Sequence, residues 1–113
     1  PVKTPANISV IGAGGWGSAL AQLLSHRGLP VTIWAHEPSQ AEEINTSHTN
    51  AKFLPGVTLS GSIRATSDLA DAAQAGLLVV VPPSQYLRGI AEQLSRAGVA
   101  AGVPLVCCTK GLE

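Results

Sequence analysis

The residues best placed for chemistry are Gly12, Gly14, Gly15 and Gly17, which occur with Trp16 in the run Gly12-Ala13-Gly14-Gly15-Trp16-Gly17. The run follows the apolar segment Ile8-Ser9-Val10-Ile11 and opens a stretch with helical apolar spacing. A G-x-G-x-x-G turn between a strand and a helix suits a dinucleotide. Gly12 lets the chain turn sharply out of the strand, and Gly14 removes the side chain that would keep a pyrophosphate from the backbone. Gly17 lets the helix pack closely on the sheet. The pyrophosphate would then meet free N–H groups and the positive end of the helix dipole. For Trp16 two roles stand open: covering the core, or touching the cofactor.

Three more strand ends carry groups of interest. Ala35-His36-Glu37 ends a second strand about 20 residues past the turn, in the zone where an acidic residue holds a ribose 2′-hydroxyl. A histidine at this point can stack on adenine, approach a 2′-phosphate when protonated, or simply lie solvated in a loop, so NAD and NADP both stay open. Pro82-Pro83-Ser84-Gln85-Tyr86 follows an apolar strand, and Tyr86 either closes on a bound dinucleotide or faces the core. Lys110 lies just past a buried strand beside Gly111. Its ammonium is either a solvated charge or a donor to a carbonyl oxygen or phosphate at the mouth of the crevice.

The elements that must position these groups follow from apolar patterning. Ile8–Ile11, Val31–Trp34, Leu77–Val81 and Val103–Thr109 read as strands, with a weaker one at Ser62–Thr66. Leu77–Val81 is apolar on both faces and therefore central. The helix after the glycine turn carries Trp16, Ala19, Leu20, Leu23 and Leu24 at i, i+3, i+4 spacing and should stop at Gly28. Pro38 fits the first turn of a helix to about Asn45, and Ser67 is the expected cap of a helix from Asp68 to Gly76. Ser84 is expected to cap another helix ending near Gly98. The polar stretch from Thr46 to Gly61 reads as a loop anchored by Phe53 and Leu54. Such alternation predicts parallel pairing through right-handed crossovers. The expectation is one α/β domain over residues 1–113, a Rossmann-type parallel sheet of order 3-2-1-4-5 with helices on both faces.

Composition narrows the partners. The chain has 113 residues, 45% of them apolar and 12% charged, with formal net charge zero, which suits one well-buried domain. Without a Lys/Arg stripe, no nucleic-acid partner is expected. Without a basic leader and apolar core at the N-terminus, or an apolar run of bilayer length, no membrane partner is expected and the cytoplasm is the default. Cys107 and Cys108 are neighbours in an apolar run, where a disulfide between them would be strained. They read as buried thiols in a reducing compartment, and no metal-ligand spacing occurs.

Four blocks carry a family resemblance. Gly12-Ala13-Gly14-Gly15-Trp16-Gly17-Ser18-Ala19-Leu20-Ala21, Ile44-Asn45 with His48-Thr49-Asn50 and Phe53-Leu54-Pro55-Gly56, Val80-Val81-Pro82, and Thr109-Lys110-Gly111-Leu112-Glu113 lie in order across the chain. Together they resemble NAD(P)-dependent glycerol-3-phosphate dehydrogenase. The resemblance implies that Gly15, Trp16 and His36 contact the nicotinamide cofactor, that Tyr86 faces it, and that Lys110 reaches both cofactor and substrate. It implies reversible hydride transfer between NAD(P)H and dihydroxyacetone phosphate, giving glycerol 3-phosphate for phospholipid synthesis, in an enzyme that is a homodimer when full length. Family enzymes add a helical domain that supplies the acid/base lysine and the substrate-phosphate contacts. The 113 residues alone should therefore bind dinucleotide weakly and turn over little or nothing. The alternatives are a stand-alone dinucleotide-binding module without catalysis, or another dehydrogenase on the same half-sheet, such as a ketopantoate- or hydroxyacid-type enzyme. The Thr109-Lys110-Gly111 block argues against the last.

Overall fold

The computed structural model describes residues 7–81 and 105–107. Within them the chain runs β1 (Ile8–Ile11), α1 (Gly15–His26), β2 (Val31–Trp34), α2 (Pro38–Ser47), β3 (Arg64–Thr66), α3 (Leu69–Ala72), β4 (Leu77–Val80) and β5 (Leu105–Cys107). The strands form one sheet in the order β3-β2-β1-β4-β5, every pair parallel, as the alternation predicts. β1 pairs with β2 from Ile8↔Val31 to Ile11↔Trp34 and with β4 from Ile8↔Leu77 to Ile11↔Val80. The three strands therefore end level, and the turns that leave them emerge along one edge.

The pleat sends alternate side chains to opposite faces. Ile8, Val10, Ile33, Val79 and Val81 join a core beneath α1 and α2 with Ala21, Ile44, Leu59 and Ile63. Ile11, Trp34, Leu78 and Val80 fill a smaller core on the other face with Ala72 and Ala73. Burial on both faces explains the nearly continuous apolar strands. β3 lies at an edge, where backbone groups lack a strand partner. Asn45 at the end of α2 supplies one: its amide donates to the Ala65 carbonyl at 2.9 Å and accepts the Ala65 N–H at 2.8 Å.

Several local expectations need correction. α1 does not turn its Trp16/Ala19/Leu23 stripe inward: Trp16 and Leu23 are each 54% exposed, and the buried residues are Gly17, Ser18, Ala21 and Ser25. The helix lies too close to β1 for large side chains, so small ones face the sheet, and Leu20 and Leu24 pack at the flank. α2 continues to Ser47 and closes at His48, which is left-handed with φ 58°. Asp68, not Ser67, caps α3, its side chain accepting the Ala70 N–H, and the helix ends at Ala72. Leu54 packs on the core as expected, but Phe53 is 44% exposed; Leu59 is the buried anchor of this segment, and Ile63 is buried just beyond its end. The predicted helix from Ser84 to Gly98 lies outside the described residues, as do Tyr86, Cys108 and Lys110.

Candidate dinucleotide site

β1 leaves the sheet through Gly12, whose φ of 131° is one that L side chains rarely adopt. Helix α1 begins three residues later. A Cβ on Gly17 would run into the Gly12 carbonyl, so the closeness of helix to strand depends on hydrogen at that position. A Cβ on Gly14 would meet nothing within 4 Å. Gly14 is the N-cap, in extended conformation, and makes no side-chain cap bond; no acidic residue stands in the first turn. The leading N–H groups of α1 and its positive dipole end are thus open to an external anion. These residues fit the pyrophosphate of a dinucleotide, because the backbone is bare where the group would rest.

The Ala13 carbonyl points the other way, into the protein. It accepts the Gln40 side-chain amide at 2.7 Å, the Asn50 amide at 2.7 Å and the Ser18 hydroxyl at 3.4 Å. The Asn50 amide also donates to Ser18 Oγ at 2.7 Å, and Gln40 Nε2 lies 3.1 Å from Asn50 Oδ1. Asn50 and Ser18 are both fully buried. The segment that follows α2 is thereby tied to the glycine turn from below. Its Phe53 carbonyl also lies against α1, 2.7 Å from where a Cβ on Gly15 would be.

β2 delivers side chains. Ala35 is buried, and His36 and Glu37 emerge exposed. The His36 ring stacks on Trp34 with centroids 5.9 Å apart and planes at 23°. Glu37 is the N-cap residue of α2 but makes no side-chain cap bond. A cavity of about 390 Å³ opens here, lined by His36, Glu37, Gln40, Asn50, Lys52 and Phe53 among others. Lys52 holds its ammonium over the Phe53 ring, 5.3 Å from the centroid. At the cavity's side, Glu43 accepts the Ala51 N–H at 2.9 Å and the Thr49 hydroxyl at 2.8 Å. The Ala51 N–H, helped by the Thr49 hydroxyl, holds its carboxyl below the usual carboxylate range.

Of the residues singled out in the sequence, Gly12, Gly14, Gly15, Trp16 and Gly17 lie together at the turn, and His36 stands at the next strand end. Trp16 is exposed, which removes its core-covering role. The site also takes in Gln40, Asn50, Lys52 and Phe53, to which the sequence pattern assigns no place in it. Phe53 reads in sequence as an anchor, and the polar Thr46–Gly61 segment carries no periodic signal that its Asn50 returns beneath the turn. Among the described residues there is no cluster able to hold a metal ion and no helix long and apolar enough to cross a membrane.

A family model described as the N-terminus of NAD-dependent glycerol-3-phosphate dehydrogenase matches residues 7–113. Glycerol-3-phosphate dehydrogenase [NAD(P)+] of Parvibaculum lavamentivorans is 50% identical over 106 residues, covering 94% of this chain and 32% of that protein. The structure of a glycerol-3-phosphate dehydrogenase from Saccharomyces cerevisiae superposes with a TM-score of 0.85 at 34% identity, covering 97% of this chain and 35% of that one. Another from Coxiella burnetii gives 0.86 at 27% identity, over 95% and 33% respectively. The chain therefore spans about a third of the length of these relatives.

Proposed function

Since this chain belongs to the family of NAD-dependent glycerol-3-phosphate dehydrogenase N-termini, we propose that it is the dinucleotide-binding domain of an NAD(P)-dependent glycerol-3-phosphate dehydrogenase. The enzyme would interconvert dihydroxyacetone phosphate and glycerol 3-phosphate, the latter for phospholipid synthesis, with NAD or NADP as cofactor. The observation that carries this reading is the turn from Gly12 to Gly17. Its bare backbone and open helix N-terminus face one way, and its buried Ala13 carbonyl faces the other.

When bound, the nicotinamide cofactor carries the hydride. The chain's own residues bind and orient. The N–H groups of Gly14 and Gly15 receive the pyrophosphate, and Trp16 lies against the cofactor at the exposed first turn of α1. His36 stacks on adenine or approaches a 2′-phosphate, with Glu37 favouring a free 2′-hydroxyl. Tyr86 faces the cofactor from the region after β4. Lys110, after β5, donates to the substrate's carbonyl or phosphate oxygen and reaches the cofactor. Holding the two reactants in register lowers the barrier by several kcal/mol, on the order of 7–11 for well-oriented pairs. The remaining two-thirds of the enzyme would supply the acid/base group and complete the substrate site. We place the enzyme in the cytoplasm as a homodimer, with neither nucleic acid nor membrane as partner.

The test is made on the full-length protein that carries this domain. NADH and NADPH are titrated by tryptophan quenching, and dihydroxyacetone phosphate is then added while nicotinamide absorbance is followed. Saturable binding and substrate-dependent loss of absorbance are expected. Binding without turnover would leave a dinucleotide-binding module, and no binding of either cofactor would overturn the reading.

A further inference from the structure

The amide of Asn50 belongs to none of the groups assigned above, yet it is 1% exposed and all its hydrogen-bonding capacity toward the turn is spent. Its orientation is fixed by its neighbours. Gln40 Nε2 is already a donor to the Ala13 carbonyl, so the atom of Asn50 that faces it must be the oxygen. The Asn50 nitrogen therefore points at the Ala13 carbonyl and Ser18 Oγ, both at 2.7 Å. A trans peptide carries its C=O and N–H on opposite sides of one rigid plane. There is no cis peptide bond in the chain as described. With the Ala13 oxygen drawn inward, the Gly14 N–H on the same plane must point outward, and no backbone acceptor among the described residues takes it.

We propose that Asn50 is a positioning residue for the dinucleotide: by holding the Ala13 carbonyl, it presets the Gly14 N–H toward the pyrophosphate before the cofactor arrives. This inference rests on the reading of the turn as a dinucleotide site and adds the group that keeps it formed. Preorganisation of this kind removes an ordering step from binding. Three donors on one carbonyl are more than burial requires. Asn50 and Gln40 come from separate elements, the segment after α2 and α2 itself, so the orientation of the 13–14 peptide is fixed from two sides.

Asn50→Asp keeps the shape but replaces the donor amide with an oxygen facing the Ala13 carbonyl. Gln40→Leu removes the other amide donor from a half-buried site on α2 and is the variant that must fold if the first does not. In the full-length protein, the Kd for NADH is measured by tryptophan quenching well below the thermal midpoint, beside circular dichroism, KM and kcat. The expected result is a Kd about tenfold higher in Asn50→Asp, equivalent to about 1.4 kcal/mol, and about threefold higher in Gln40→Leu. The KM for NADH should rise in step, while kcat at saturating cofactor stays within about twofold of the parent's. A purely architectural Asn50 would instead lower the folded fraction, and with it kcat, at unchanged Kd. Parental Kd in a folded Asn50→Asp protein overturns the inference, as does parental Kd in Gln40→Leu if Asn50→Asp does not fold. A parent that binds neither NADH nor NADPH overturns the dinucleotide reading itself, which is a separate failure.

Discussion

The turns after β1 and β2 leave the sheet side by side, since Ile11 pairs with Trp34, yet they offer a ligand opposite things. The first presents backbone with no side chains in the way. The second presents the side chains of His36 and Glu37, with hardly any backbone constraint beyond the N-cap geometry of Glu37. Main-chain amides recognise an anion whatever it is attached to, so on the proposed reading the first turn would supply affinity common to both dinucleotides. Exposed titratable side chains distinguish what hangs from the ribose, so the second would supply choice. Substitutions in the first turn should therefore alter folding or all dinucleotide binding, whereas those in the second should alter the ratio between cofactors.

Within the first turn, two glycines three residues apart, Gly14 and Gly17, should fail differently. Gly17→Val places atoms on the Gly12 carbonyl, which is backbone and cannot swing aside. Overpacking of this kind should destabilise the protein by about 3 kcal/mol, read as a lower urea midpoint at unchanged slope. Gly14→Ala meets open space at φ −74°, a conformation any L-residue adopts. Its stability should stay within about 1 kcal/mol of the parent's, the loss of a good N-cap offset by a stiffer unfolded chain. Its affinity for NADH and NADPH alike should nonetheless fall by about tenfold, because the methyl occupies the pyrophosphate's place. If Gly14→Ala binds normally, or Gly17→Val folds normally, the assignment of one glycine to the ligand and the other to packing is wrong.

The same contrast explains what could be read from the sequence. β1, β2 and β4 are short runs dominated by β-branched and leucine residues, each with a glycine or proline directly beside one end at least, so their places follow from local pattern. The glycine turn was legible because its spacing is dictated by one local geometry. The inner face of α1 was not: apolar spacing favoured Trp16 and Leu23, but the closeness set by Gly17 selects Ser18, Ala21 and Ser25. Ser25 is kept below the surface by a 2.8 Å hydrogen bond to Ser62, a partner 37 residues away. The region from His48 to Ile63 was still less legible. Its buried Asn50, Leu59 and Ile63 are isolated among polar residues: Asn50 is held by the glycine turn and by Gln40 of α2, and Leu59 and Ile63 join the core under α1 and α2, partners that no window of sequence contains.

In the second turn, the sharper test is Glu37→Gln. A carboxylate near a ribose 2′-phosphate repels it by about 1 kcal/mol at a separation of roughly 4 Å in water, a factor of about five. Removing that charge should improve NADPH binding relative to NADH by about this factor, with stability unchanged because Glu37 makes no side-chain cap bond. The measurement is the ratio of the two dissociation constants, which cancels any effect on the shared pyrophosphate site. A ratio equal to the parent's would place the 2′ position away from Glu37 and leave cofactor choice to other residues. The screening of exposed charges adds an internal control, since the improvement should shrink as salt is raised.

The smallest expected effect concerns the seam between the regions, where Glu43 on α2 holds the chain after His48 through Thr49 and Ala51. The Ala51 N–H and the Thr49 hydroxyl favour the carboxylate, so the folded-state pKa lies below the ordinary value of 4.5. A depressed folded pKa means that the unfolded chain takes up the proton first on acidification. The contribution of Glu43 is thus present above about pH 4.5 and lost as pH falls through the lower folded value. Glu43→Gln should lower the thermal midpoint slightly at neutral pH, and the gap to the parent should close as both are acidified below that point. Because the carboxyl is open to solvent, the gap should be small. A gap that widens on acidification would mean that Glu43 is stabilised in its protonated form. The hydrogen bonds from Thr49 and Ala51 would then not be what ties the Asn50 segment to α2.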